Sequence, residues 1–418
     1  MIFILLLLIF ASKLSLAFVG FPVDEWSYFI FQKGLHPVFH AAIVVTIAFL
    51  FLKQNQKQIF QRYPEGSGYQ FYVRWGFLLL AGLSFLQYFF NGSEDSLVML
   101  MAVLLNVFIL FFVYGIWVPK LCSAEKILAF LKVAATVIVV LSLGFYLIGA
   151  GFVFKGGRFV GIMKHIPHMV TVATLAFNLW VQDFLCLRRR LWALLFCTGS
   201  FWCLLLTGTR SALLACLAAV FFMVVLQPIK NNQQKFWRWS LALMTVTFTL
   251  FFSKTVFDYT EAVILGKESL MNRQAQDGVE TRWDEVRRGL DMFEKSSWLG
   301  LGLLSKYNSS NAEDSTDRLE KYNSQKDPHN FVVSAGVIGG WVFLIYACWG
   351  LLSLLYKSII ELRHKDENMR FIAIYLLTQW PILLIYHVHL SVGGMADRVY
   401  WLLAGLLFLN KSLAQKGV

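Results

Sequence analysis

Long apolar runs alternate with short polar segments along almost the whole chain. A helix crosses the hydrocarbon core of a bilayer with about 20 mostly apolar residues. A window of that length predicts about twelve spans. They cover residues 2–20, 36–52, 75–90, 97–118, 127–150, 166–184, 191–207, 212–226, 239–253, 330–356, 371–387 and 399–409. The first run lacks a basic leading segment and is interrupted by Lys13, so it reads as a retained helix rather than a cleaved leader. The expected fold is all-α: a polytopic integral membrane protein with one large, partly helical periplasmic loop.

That loop, 255–328, is the one long polar stretch. It divides the chain into 1–254, with helices one to nine, the loop itself, and 329–418, with helices ten to twelve. A connection of this length is uncommon unless it has a function.

Composition supports the membrane reading. Of 418 residues, 58% are hydrophobic and 15% charged. Soluble domains carry about 25% charged residues. A water-soluble enzyme, a disordered chain and a disulfide scaffold are all excluded. The six cysteines lie in or beside apolar runs without zinc-ligand spacing.

The net charge of +12 is not a nucleic-acid signature, because the bases cluster between apolar runs. Lys53, Lys57, Arg62 and Arg74 form one cluster, and Arg188, Arg189 and Arg190 another. Lys357, Arg363, Lys365 and Arg370 form a third. With both termini in the cytoplasm, every such cluster falls on the cytoplasmic side. The loop, with fourteen acidic and ten basic residues, falls outside.

Several features on the outer side could carry chemistry. In the loop, Trp283, Val286, Leu290 and Phe293 share one helical face, with Thr281 at its start and Arg282 in its first turn. A helix N-terminus favours an anion, and a guanidinium adds to it, which makes a pyrophosphate site one reading. A solvated interfacial helix is the other. Arg210, in the run Thr207, Gly208, Thr209, Arg210, interrupts an apolar stretch without an acidic neighbour. An arginine at membrane depth faces a cavity or partner, unless it snorkels to the surface. Asp327, Pro328, His329 and Asn330 open the tenth span, where Pro328 suits a helix start and Asp327 a cap. His329 can move a proton near neutral pH, or be structural. Lys155, Arg158, Lys164, His165 and His168 share one outer loop, against the positive-inside bias, which points to an anionic ligand. No carboxylate accompanies the histidines, so no metal is expected. Asp397 and Arg398 read as a local ion pair. There is no Walker A sequence, hence no ATP.

These residues resemble a known family. Leu206 to Leu214 is similar to the arginine motif of the O-antigen ligases, within the O-antigen ligase and polymerase superfamily. The run from Thr281 to Phe293 resembles their loop arginine helix. His329 and Asn330 followed by Gly340 resemble their His-Asn…Gly signature, with Phe343 where the signature commonly ends in a small or hydroxyl-bearing residue. Gly157 to Gly161 resembles a recurrent superfamily segment, and Asp397 sits where the ligases carry an aspartate.

The resemblance implies a periplasm-facing glycosyltransferase of the bacterial inner membrane. The donor would be O-polysaccharide on undecaprenyl pyrophosphate, and the acceptor a sugar hydroxyl of the lipid A core. Arg210 and Arg282 would hold the pyrophosphate, His329 would act as base, and Asp397 would orient. Arg158, Lys164, Arg287 and Asn330 would bind substrate, with no cofactor or metal and with inversion at the anomeric centre. Two relatives share the donor: an O-antigen polymerase and a protein O-oligosaccharyltransferase. A transporter or flippase for a lipid-linked sugar is the reading from another class.

Overall fold

The computed structural model describes residues 2–11, 67–91, 96–148, 159–163, 166–186, 190–226, 298–300, 330–379 and 395–409. It also describes 286–294 apart from 288, and a few isolated positions. Among these residues the only extended pairing is an isolated antiparallel bridge between Leu14 and Met163. Everything else regular is helical, as hydrocarbon demands of backbone N–H and C=O groups.

The helices are α1 (Ile2–Ala11), α2 (Ser67–Asn91), α3 (Ser96–Phe108), α4 (Val118–Leu121), α5 (Ala124–Leu147), α6 (Ile166–Leu185), α7 (Arg190–Thr207), α8 (Arg210–Leu226), α9 (Phe331–Glu361), α10 (Glu367–Thr378) and α11 (Met395–Leu409). A nine-residue π-helical stretch, Ile109–Trp117, joins α3 to α4. Among the described residues, four segments are long and apolar enough to cross a membrane: Leu104–Leu121, Ala124–Leu147, Arg190–Thr207 and Phe331–Glu361. The expected spans 36–52 and 239–253 fall almost entirely outside the described residues.

Local chemistry sets several boundaries. Ser123, in an extended conformation, precedes α5, and Glu125 occupies its first turn, where the helix dipole favours an acid. Gly208, at φ +64°, turns α7 into α8. At the α9–α10 corner His364 Nδ1 accepts from the Asp366 amide (3.0 Å), and the Asp366 carboxylate accepts from the Asn368 amide (2.8 Å).

Helix α6 is the hub. It is buried on nearly every face, as an apolar helix inside a bundle should be, and packs against α5, α7 and α8. Lys132 of α5 pairs with Asp183 of α6 at 2.6 Å and stands 5.0 Å from the Trp180 ring centroid. Trp180 Nε1 donates to Thr136 Oγ1 (2.8 Å), closing a second link between the two helices. Helix α11 packs on the π-helical stretch at a backbone-to-backbone crossing, where a Cβ on Gly405 would run into the Gly115 carbonyl and Pro119. Helices α2 and α9 meet through Tyr72 and Tyr346, stacked at 4.3 Å over Gly76 and Gly350.

On α9, Val342, Ile345, Trp349, Leu352, Tyr356 and Ile359 are exposed at alternating three- and four-residue spacing. Such an apolar stripe on one helix is a lipid-facing surface. Sequence reading treats α9 as one span beginning with an Asp327 cap. The described start is Phe331, and Asn330 is the cap, its Oδ1 accepting from the Val333 amide at 3.0 Å. The helix also breaks at Gly339 and Gly340, the latter at φ +61° and ψ −159°. Phe331 consequently reaches the cavity wall that Trp349 and Gly350 line, although a straight helix would hold them about 28 Å apart.

Replacing Gly405 by Val is expected to wedge α11 from the π-helical stretch and cost about 1–3 kcal/mol. Thermal unfolding of the purified protein reads this directly. A variant that melts with the wild type would mean that the two backbones do not rely on this contact.

Candidate functional site

Two pairs of segments that the sequence singled out make close contacts. The first pair joins the 159–163 segment to the turn before α8. Phe159 N–H donates to the Leu206 carbonyl (3.2 Å), and Ile162 N–H donates to Ser142 Oγ (3.2 Å). Gly161, at φ +57°, lies where a Cβ would collide with Ser142. Thr207 Oγ1 donates to the Leu204 carbonyl (2.7 Å), and Thr207 and Thr209 are both buried. The backbone of Arg210 opens α8 directly after this turn. The two segments that sequence reading singled out separately, around Arg158 and Arg210, are therefore neighbours in space.

The second pair joins the polar loop to α9. Residues 289–294 are helical, and the Phe293 ring covers Gly336 and meets Trp341 edge-on at 4.9 Å. Further along, Trp298 and Gly300 lie backbone-to-backbone on Ile338, Gly339 and Gly340. Gly300 sits at φ +71°, and a Cβ there would strike the Ile338 and Gly339 backbone. A Cβ on Gly340 would strike the Trp298 carbonyl. The loop helix is thus seated on the segment that follows His329 and Asn330.

The inward face of that loop helix differs from the expected one. Leu290 is 48% exposed, whereas Gly289 is buried and Phe293 half-buried. Gly289 and Phe293 are one turn apart, so the helix presents them inward, turned by about one residue from the expected stripe.

Arg287 is exposed on this helix. Asn330 already spends its Oδ1 on capping α9. Arg158, Lys164, Arg282 and His329 lie outside the described residues, and only the backbone of Arg210 is described. Asp397 and Arg398 are buried at 0% and 1% exposure in the first turn of α11, and each engages partners. Tyr114 of the π-helical stretch, on which α11 packs, donates its hydroxyl to the Leu5 carbonyl at 2.9 Å. Ionised groups in such surroundings need partners to offset desolvation. Among the described residues no cluster of three metal-ligating side chains occurs.

The segment 193–348 matches the family model described as O-Antigen ligase. The match covers a little over a third of the chain and is a similarity to that family. It marks a ligase- or polymerase-type enzyme of O-antigen processing. Together with the long apolar helices, it marks a multi-pass membrane protein. No curated protein matches the chain. The matched segment encloses Arg210, Arg282, Arg287, His329 and Asn330, while Arg158, Lys164 and Asp397 lie beyond it. Sequence reading did not find the seats of the loop, Gly300 and Gly336. The signal within reach was an apolar island, Trp298 to Leu304, inside an otherwise polar stretch.

Replacing Gly340 by Ala adds a Cβ at the Trp298 carbonyl and holds a side chain in a backbone region reserved for glycine, which alone costs about 1–3 kcal/mol. Faster amide exchange at 289–294 and 298–300 is expected, with α5 and α6 unchanged. Unaltered protection at those positions would mean that the loop is held elsewhere.

Proposed function

We propose that this chain transfers O-polysaccharide from undecaprenyl pyrophosphate to a sugar hydroxyl of the lipid A core on the periplasmic face of the inner membrane. The observation that carries this reading is the family match, which encloses Arg210, Arg282 and His329 in one segment. The seating of the loop helix on Gly336 and Trp341 adds support, because it ties the segment that carries Arg287 to α9.

The chemistry follows from charge. The acceptor hydroxyl oxygen attacks the anomeric carbon, and the bond from that carbon to the pyrophosphate oxygen breaks. Attack from the face opposite the leaving group inverts the centre. Negative charge grows on the departing pyrophosphate, and Arg210 and Arg282 meet it with bidentate hydrogen bonds. Arg210 stands at the first position of α8, where the helix dipole disfavours a cation and favours an anion. An anionic substrate reconciles the two. His329 takes the proton of the attacking hydroxyl. Arg158, Lys164, Arg287 and Asn330 bind the charged or sugar portions of the substrates, and Asp397 orients the site from α11. The donor arrives activated, so neither ATP nor a metal ion has a role.

Arg210→Ala and Arg282→Ala are each expected to slow transfer about 100–1,000-fold, as loss of one transition-state donor does. His329→Ala should abolish transfer and leave donor binding intact. Purified variants, assayed with lipid-linked donor and core acceptor, decide the roles. Wild-type rates in either arginine variant, or lost donor binding in the histidine variant, would sink these assignments.

A further inference from the structure

The lipid-facing stripe of α9 has a definite beginning. Phe331 to Gly340 are buried or half-buried, and exposure starts at Trp341 and continues through Ile345 and Leu352 to Ile360. From Trp341 to Ile360 the helix rises about 29 Å at about 1.5 Å per residue, against about 30 Å of hydrocarbon in a bilayer. The exposed length thus matches the hydrocarbon with little to spare, and Trp341 stands at one of its boundaries. Near the other boundary Tyr356 is exposed and Lys357 pairs with Glu361 at 2.6 Å. Aromatic and charged side chains collect at such boundaries.

The polar loop touches α9 at the level of Trp341. Trp298 and Leu299 form a turn whose backbone lies against Gly340, the residue before Trp341. Gly300, half-buried, packs on the backbone of Ile338 and Gly339 and holds the turn there. The backbone of this turn is seated, but its side chains are not: Trp298 is 74% exposed and Leu299 53%. The loop helix before it differs. It exposes Arg287, Asp291 and Glu294 beside Leu290, a mostly charged face suited to water. Two adjacent apolar side chains therefore stand exposed where the loop meets the hydrocarbon boundary marked by α9.

We propose that Trp298 and Leu299 insert into the interfacial layer of the bilayer at the Trp341 end of α9 and anchor the loop to the membrane surface. Tryptophan suits that layer, because its ring is apolar while its indole N–H donates to head-group or ester oxygens. Leu299 enters the acyl region beside it, where its exposed apolar surface leaves water. The partner is the lipid surface, because the turn is continuous with the stripe of α9 that already faces lipid. The loop is then held twice: by protein, where Gly300 and Gly340 meet the opposing backbone, and by lipid, through Trp298 and Leu299. The inference concerns contact with lipid and is independent of the transfer reaction proposed above.

The test is photolabelling of the full-length protein in nanodiscs of phosphatidylethanolamine and phosphatidylglycerol, with the labelled residues mapped by mass spectrometry. Two phospholipid probes carry an aryl diazirine, one near the glycerol end of an acyl chain and one at its methyl end. The shallow probe is expected to label Trp298 and Leu299 as it labels Trp341, and the deep probe to label Trp349 and Leu352 instead. The double variant Trp298→Ser, Leu299→Ser leaves Gly300 and its seat on α9 untouched. It is expected to lose the shallow label over 298–300 and to keep it at Trp341. Absence of shallow label from Trp298 and Leu299, preference of Trp341 for the deep probe, or undiminished label over 298–300 in the double variant would each overturn the proposal.

Discussion

The Trp298 carbonyl occupies the space that a side chain on Gly340 would need. The shape of α9 and the seat of the loop follow from that contact. Two stretches of backbone approach so closely that only glycine is tolerated, at Gly300 on one side and Gly340 on the other. The positive φ at each lets the chain turn sharply there. One consequence is the break in α9, which separates a short segment beginning at Phe331 from the lipid-facing length that begins near Trp341. The other is the seating of the loop helix, through Phe293 on Gly336 and Trp341. The polar connection is thereby tied to α9 along Gly336 to Trp341.

The bundle beneath supplies a rigid base for that arrangement. Helix α6 is enclosed by its neighbours, and the Lys132–Asp183 pair and the Trp180–Thr136 bond lock it to α5. Helix α11 gains its place by the close crossing of Gly405 on Gly115, within the π-helical stretch. The π-helical geometry is rare and recurs at functional positions. Here it packs against α11, which carries the buried Asp397 and Arg398. The close backbone crossing and the buried charges belong to one helix, so the packing of α11 fixes where those charges stand.

Much of the fold was legible in the sequence because hydropathy reports length and polarity directly. The ends of α6 and α7 lie within a residue or two of the expected spans 166–184 and 191–207. The break between α7 and α8 was legible as well, since Thr207, Gly208, Thr209 and Arg210 interrupt an apolar run with a turn residue. Hydropathy carries no information about backbone geometry, so the π-helical stretch and the break in α9 were not legible. Nor was the burial of Asp397 and Arg398, which depends on the helices around them. The loop helix was expected from Thr281, whose neighbours up to residue 285 lie outside the described residues, and its described part over 289–294 turns Leu290 outward. The actual inward positions depend on Gly336 and Trp341, some 40 residues away in the chain. The motifs around Arg210 and His329 were legible because arginine and histidine are conspicuous against apolar surroundings. The close approach of Gly300 to α9 was not, because a glycine's role in packing becomes informative only when its φ and its neighbours are known.

The central claim is the transfer of a lipid-linked polysaccharide to the lipopolysaccharide core. The most direct measurement is the composition of the lipopolysaccharide and of the lipid-carrier pool in the native host after deletion of the coding sequence. Ligase activity predicts core without O-chains, alongside full-length polymer retained on undecaprenyl pyrophosphate. Core carrying a single repeat unit would contradict it in favour of a polymerase, and unchanged lipopolysaccharide would contradict both.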